Sequence, residues 1–379
     1  MGKHWGSNSL IYAGLIYIIV ISSDSIFSKI PNLSINGNLP FFGLVLLICF
    51  NFLILLLNKG SRAKRIYTQL VFFWFVSIAL TLITNVDPSL GYIYFYVLLM
   101  NAYIFSIVCD GERFTKAYVR IILMLSVFSI IVQFFYIYGP EFLIERFPVY
   151  KNEADFNVRV FGFAAVITDN SPRLMSIFRE PSVAAIYICL ALLLSLTRVD
   201  RKISHIVILS VAVILTQSSS GIIALLLLWS LFPRKIVPRV IIFSVIGCLA
   251  FYAITSIEFD TFVALDKFDS SSESFGSFLA RYASIVVNTD IFFSNPFFGI
   301  GLGHYSDAFE RVGLEILGVS FDIKGMSTNT IMAQLAVYGL IGATPLFVLL
   351  ANLVKKLANN RFEYSVILVV VIVLLSSQD

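Results

Sequence analysis

The residues most able to do chemistry gather in three places. Arg173, Arg179 and Glu180 crowd together immediately before Pro181, where a long apolar stretch begins. Proline lacks an N–H and suits the first position of a helix, so Glu180 is expected as the N-cap, its carboxylate beside the positive end of the helix dipole. Guanidinium forks bind phosphate bidentately, so the cluster suits an anionic head group. A salt-bridged anchor at a membrane surface would use the same residue types.

In the second place, Ser277, Arg281, Ser284 and Asn288 recur at spacings of four, three and four. On a helix they form one narrow polar stripe. Phe278, Leu279, Tyr282, Ile285 and Val286 fall on the other face, so the segment reads as an amphipathic helix on a membrane surface or against a bundle. Arg281 is the only charge on its stripe. A solvated face would carry several charges of both signs, so Arg281, Ser284 and Asn288 are expected to bind a substrate.

The third place is the run Asn295-Pro296-Phe297-Phe298-Gly299-Ile300-Gly301-Leu302-Gly303-His304-Tyr305. It reads as a tight turn leading to Asp307, which with Glu310 resembles a helix capping box. Gly299, Gly301 and Gly303 could offer backbone N–H groups to an anion, and glycines serve close packing as well. No predicted strand precedes the run, which excludes a dinucleotide fold. His304 is the one histidine expected outside the cytoplasm and could accept a proton from an attacking hydroxyl, with Tyr305 beside it as a binding residue. Glu180 is the other candidate base, favoured because it adjoins the arginines.

These groups must be positioned by a framework that is overwhelmingly apolar. Of 379 residues, 58% are hydrophobic and 13% charged, with a mean hydropathy of +0.89, against about 25% charged residues in soluble domains. The 36 Phe and 17 Tyr fit lipid-facing surfaces and interfacial belts. Runs able to cross about 30 Å of hydrocarbon occur at 5–21, 39–57, 66–84, 90–108, 119–138, 181–196, 237–257 and 330–354. The shorter runs 203–215 and 221–232 share the tip Gln217-Ser218-Ser219-Ser220 and read as two thin spans or one re-entrant hairpin. A last run, 364–376, completes about eleven helices. The expected fold is therefore an all-α polytopic membrane protein, a single integral domain over 1–379. The first run lacks a small-residue cleavage site and is expected to be retained.

With the N-terminus in the cytoplasm, five short loops there hold most of the 27 Lys and Arg, as the positive-inside rule requires. Two long segments, 139–180 and 258–329, fall outside and are expected to contain amphipathic helices and the active site. The cytoplasmic loops are too short for a nucleotide-binding domain, which argues against an ATP-driven pump. Cys49, Cys109, Cys189 and Cys248 all lie in or at the edge of apolar runs, and His4, His205 and His304 are far apart. Neither a disulfide nor a metal site is expected, and no cofactor. Nothing points to nucleic acid.

The chain resembles the bacterial O-antigen polymerases, with the related O-antigen ligases as cousins. The resemblance rests on Arg173-Leu-Met-Ser-Ile-Phe-Arg-Glu-Pro-Ser182, on Arg281 upstream of the glycine run, and on Ser327-Thr328-Asn329 before Gln334-Leu-Ala-Val-Tyr-Gly-Leu-Ile-Gly342. It implies a metal-independent, GT-C-like membrane glycosyltransferase of the inner membrane. Such an enzyme transfers glycan from undecaprenyl pyrophosphate onto the next lipid-linked repeat unit at the periplasmic face. Arg173 and Arg281 would hold the pyrophosphate, with Arg179, Gly301, Gly303 and Asn329 among the binding residues; a chain-length regulator protein is an implied partner. Ser218, Ser219 and Ser220 match a Ser-rich turn common in the family. Ligases carry a histidine just before the asparagine that corresponds to Asn329, and here that position is Thr328, which weakens the ligase reading. A flippase or transporter would place ionisable residues deep within several spans, and these spans are nearly free of charge. A non-catalytic scaffold is the third alternative.

Overall fold

The computed structural model describes residues 111–151, 156–168, 172–197, 202–231, 275–317 and 330–376, together with Phe72, Val76, Ala79, Leu80 and Ile83–Asn85. The expected spans 5–21, 39–57, 90–108 and 237–257 lie outside the described residues, as do Cys49, Cys109, Cys248 and Asn329. Helices dominate: α1 Gly111–Tyr138, the single turn α2 Glu141–Ile144, α3 Pro181–Thr197, α4 Ile203–Thr216, α5 Ser219–Trp229, α6 Phe275–Ser294, α7 Leu302–Leu317, α8 Thr330–Leu357 and α9 Arg361–Leu375. The described residues divide into two compact units, one drawn from 35–117 and 280–353, the other from 118–279 and 354–379.

The all-α expectation is corrected within the first long loop. Residues 149–176 form a four-stranded antiparallel meander, β1 Val149–Lys151, β2 Asn157–Val160, β3 Ala165–Ile167 and β4 Arg173–Ser176, in the order β1-β2-β3-β4. Among the described residues no amphipathic helix stands there beyond the turn α2. The physical reason is a string of short β-branched segments, such as Val158-Arg159-Val160 and Val166-Ile167, separated by turn residues. One face of the sheet buries Val158, Val160, Ala165, Ile167 and Met175. On the other, Phe161, Ala164 and Val166 pack with Val132, Phe135 and Tyr136 at the C-terminal end of α1. Phe161 meets Phe135 edge to face at 6.1 Å and Phe147 at 4.5 Å.

Helix α1 is long and apolar enough to cross a membrane. Its amphipathicity is inside out. Ser126, Ser129 and Gln133 are buried, whereas Met124, Ile131 and Phe134 stand at least half exposed. Water would favour the reverse; hydrocarbon around the helix favours this arrangement, because polar side chains then find partners only inward. In the same unit α3 packs against α4, α5 and β4, and α5 packs against α9. At about 1.5 Å per residue, α4 and α5 are each too short to cross about 30 Å of hydrocarbon. They form a hairpin closed by Gln217 in the left-handed region (φ 51°) and by Ser218, which caps α5 by accepting from the Gly221 N–H. Trp229 donates to Ser210 at 2.9 Å across the hairpin.

In the other unit, α6 and α7 bury Ala283, Val287, Ile291, Phe309 and Val312 in one cluster with Ala336 of α8. Helix α8 is not the straight span expected. Gly339 leaves helical geometry (φ 64°, ψ −173°), and farther along the segments Thr330–Thr344 and Leu346–Leu357 diverge by 72°. The break at Gly339 is satisfied from outside the helix. In a continuous helix the Leu340 and Ile341 N–H groups would donate to Ala336 and Val337; here they donate to Pro296 and Phe297 at 2.8 and 3.0 Å. Ala336 and Val337 accept instead from Ile300 and Gly301, at 2.9 and 3.0 Å. The turn between α6 and α7 and the break in α8 thus exchange hydrogen-bond partners, leaving none of these groups orphaned.

Candidate functional site

Strand β4 and the start of α3 place the first cluster. Arg173 opens β4, half-buried, with its guanidinium 5.2 Å from the centroid of the Phe156 ring. The chain just before it is tied to α1, because Gln133 donates to the Pro172 carbonyl at 2.8 Å. β4 ends at Ser176, a buried non-glycine residue in the left-handed region (φ 57°), where L side chains pay a conformational cost. A turn then delivers Arg179 and Glu180 to α3. The Ala184 N–H donates to the Glu180 carbonyl at 3.0 Å, the first bond of the helix, so Glu180 occupies the N-cap position. Its carboxylate is 14% exposed, accepts from Ser182 Oγ at 3.4 Å and lies 3.9 Å from Arg179. Each carboxylate oxygen therefore has a neighbour, Ser182 for one and the Arg179 guanidinium for the other.

Helix α6 carries the second cluster, and the stripe from Arg281 to Asn288 points inward. Ser284 and Asn288 are fully buried, and Arg281 is half-buried on the same side; Tyr282 and Ile285 are exposed. Ser277 lies in the first turns of α6. Asn288 Nδ2 donates to Ser284 Oγ at 3.2 Å, and Tyr305 Oη donates to Asn288 Oδ1 at 2.8 Å. The structure thus joins three of the sequence-derived binding residues into one chain of hydrogen bonds that fastens α7 to α6. Arg281 stands seven residues before Asn288 on α6, about 10.5 Å along the axis.

The glycine run is positioned by the exchange with α8. Gly299 (φ 68°) and Gly301 (φ 90°) are both left-handed, but the Gly299 N–H donates to Asn295 and the Gly301 N–H to Val337, each at 3.0 Å. These donors serve backbone packing. Gly303 lies in the first turn of α7 and is exposed. The capping-box expectation is corrected: α7 starts at Leu302, so Asp307 sits in its second turn, exposed. Gly301 ends the turn in a conformation that lets the helix begin earlier.

His304 is exposed on the first turn of α7, its Nε2 3.1 Å from the main-chain oxygen of Asn85. Asn85 in turn donates through Nδ2 to the Gly299 carbonyl at 3.2 Å. Sequence reading passed over Asn85, Gln133 and Phe156. A glutamine in the polar stripe Ser126, Ser129 and Gln133 of an apolar helix was the legible signal for one of them; Phe156 and Asn85 carry none, because their partners are distant in sequence.

Residues 205–347 match the model of a protein family described as O-antigen ligase. The chain carries an O-antigen ligase-like segment. This ligase-like segment takes in α5, α6 and α7 and the break in α8, hence Arg281, the glycine turn, His304 and Gly339; Arg173, Arg179 and Glu180 precede it. Comparison with curated proteins and with solved structures finds no match. The match supports a role of the O-antigen ligase or polymerase type.

Proposed function

We propose that the protein is a membrane glycosyltransferase that polymerises undecaprenyl-pyrophosphate-linked repeat units of a surface polysaccharide at the periplasmic face of the inner membrane. The carrying observation is the O-antigen ligase-like segment, within which Arg281 is the lone charge on an otherwise small and polar helix face. Glycosyl transfer from a pyrophosphate needs fixed positive charge where the departing pyrophosphate gains negative charge. Arg281 is proposed to supply that charge, and Arg173, over the Phe156 ring, is proposed as a further arginine that binds lipid-linked pyrophosphate. Arg179, Tyr305, Ser284, Asn288, Gly301, Gly303 and Asn329 are proposed to shape the binding region, with Glu180 and His304 as groups that handle the acceptor proton. The surrounding scaffold is proposed to be about eleven spans with the N-terminus cytoplasmic, a reading supported by the inside-out amphipathicity of α1 and by the basic loops. A chain-length regulator is proposed as protein partner.

Transfer to a completed lipid core, the ligase reaction, is the second reading, favoured by the family description itself. Thr328 in place of the histidine that ligases carry there speaks for polymerisation. The test is the length distribution of surface polysaccharide on gels from a deletion strain complemented with wild type, Arg173→Ala or Arg281→Ala at equal membrane levels. Single-repeat glycan in place of ladders is the expected result for both variants. Unchanged ladders in both would remove the pyrophosphate-binding role of the arginines.

A further inference from the structure

We infer that His304 is the proton acceptor for the attacking sugar hydroxyl, through Nδ1, with the ring's tautomer set by the backbone of Asn85. This rests on the glycosyltransferase reading above. The partner of Nε2 is a main-chain carbonyl oxygen at 3.1 Å. Carbonyl oxygen only accepts, so Nε2 carries the proton and donates it into this bond. In the neutral ring the lone pair then belongs to Nδ1, and among the described residues nothing bonds to that atom. His304 is exposed, so Nδ1 can be reached from outside the protein. A histidine whose one nitrogen is fixed as donor and whose other is open has the form of a general base.

The surroundings hold the ring in place. Asn85 is itself anchored by its side chain on the Gly299 carbonyl, and Gly299 is locked by the partner exchange with α8. The next residue, Tyr305, is fixed by its bond to Asn288 on α6, the helix that carries Arg281. Proton acceptor and proposed pyrophosphate ligand thus belong to one compact unit, which is what a concerted displacement needs. Glu180 is less suited, because Ser182 and Arg179 already engage its carboxylate.

In the step, the acceptor hydroxyl gives its proton to Nδ1 as its oxygen forms a bond to the anomeric carbon of the donor glycan. The bond from that carbon to the pyrophosphate oxygen breaks, and the electron pair leaves with undecaprenyl pyrophosphate. The imidazolium afterwards returns its proton to water.

His304→Gln separates this role from anchoring. The glutamine amide can still donate toward the Asn85 carbonyl but offers no basic nitrogen. With the full chain in lipid nanodiscs and lipid-linked repeat units as substrate, turnover is expected to fall ~100-fold or more, with KM for the repeat unit and the thermal midpoint unchanged. Turnover within about threefold of wild type would overturn the assignment, as general-base contributions are far larger; so would a loss of turnover matched by an equal rise in KM. If His304→Gln proves less stable, His304→Ala with and without added imidazole decides. Recovery of turnover by imidazole supports the role, and indifference to imidazole overturns it. Wild type that elongates nothing would instead sink the glycosyltransferase reading itself.

Discussion

Gly299 and Gly339 meet backbone to backbone: a Cβ added to Gly299 would land on the Val337 carbonyl and the Gly339 nitrogen, and one added to Gly339 on the Phe297 carbonyl and the Gly299 nitrogen. Both residues are left-handed, at φ 68° and 64°, and each immediately precedes a residue, Ile300 or Leu340, whose N–H donates across to the other segment, to the Ala336 or Pro296 carbonyl. The two segments therefore interlock reciprocally, and any side chain at either centre forces them apart.

Gly299→Ala and Gly339→Ala are expected to abolish stable folding or to lower the thermal midpoint by more than 10 °C in detergent, since a left-handed alanine alone costs about 1–2 kcal/mol and backbone overlap adds to it. Gly162→Ala is the control, with φ 69° but open space around it. It should cost only the conformational term of about 1 kcal/mol. Equal midpoints for all three variants would refute the interlock.

Tyr305→Phe removes the donor to Oδ1 of the fully buried Asn288. Leaving a buried acceptor without its hydrogen bond costs about 1–3 kcal/mol, so the thermal midpoint should drop by several degrees. Ser284→Ala, which removes an acceptor from the Asn288 amide, should cost no more. Stability measured for the two single variants and the double variant should be less than additive, as the groups share one network.

Phe156→Ala takes away the ring beneath the Arg173 guanidinium. A partly exposed cation–π contact is worth about 0.5–1 kcal/mol, so affinity for the lipid-linked pyrophosphate should weaken about two- to fivefold. Phe156→Tyr should bind as wild type. Binding by undecaprenyl pyrophosphate titration checks both, and an unchanged affinity in Phe156→Ala would detach the ring from the site.

Gln133→Leu breaks the tie between α1 and Pro172, one residue before Arg173. The Pro172 carbonyl loses a donor, at an expected cost of about 1–3 kcal/mol. Hydrogen exchange should rise along 172–176 while the body of α1 stays protected. Uniform exchange over both segments would show that the tie does not hold β4.

The helices were legible because apolar runs announce themselves: runs 119–138, 181–196, 203–215 and 221–232 became Gly111–Tyr138, Pro181–Thr197, Ile203–Thr216 and Ser219–Trp229. The polar stripe through Arg281, Ser284 and Asn288 was equally plain. Its inward aim was not, because period alone does not say which face meets a neighbour. The meander escaped notice since its strands are three or four residues long and β3 is buried on both faces, which erases the alternation that marks a strand. The interlock of Gly299 with Gly339 was hidden for a different reason. Each glycine reads locally as a turn or a packing residue, and only the folded chain shows that their partners are one another. The same holds for Asn85, whose side chain reaches Gly299 and whose carbonyl fixes His304.

The most direct test is to give purified wild-type protein in nanodiscs lipid-linked repeat units as its sole glycan substrate and to follow chain length and released undecaprenyl pyrophosphate together. The account predicts glycans of increasing length with one undecaprenyl pyrophosphate released per bond formed. Release and transfer only after a lipid core acceptor is added, or no release at all, would contradict it.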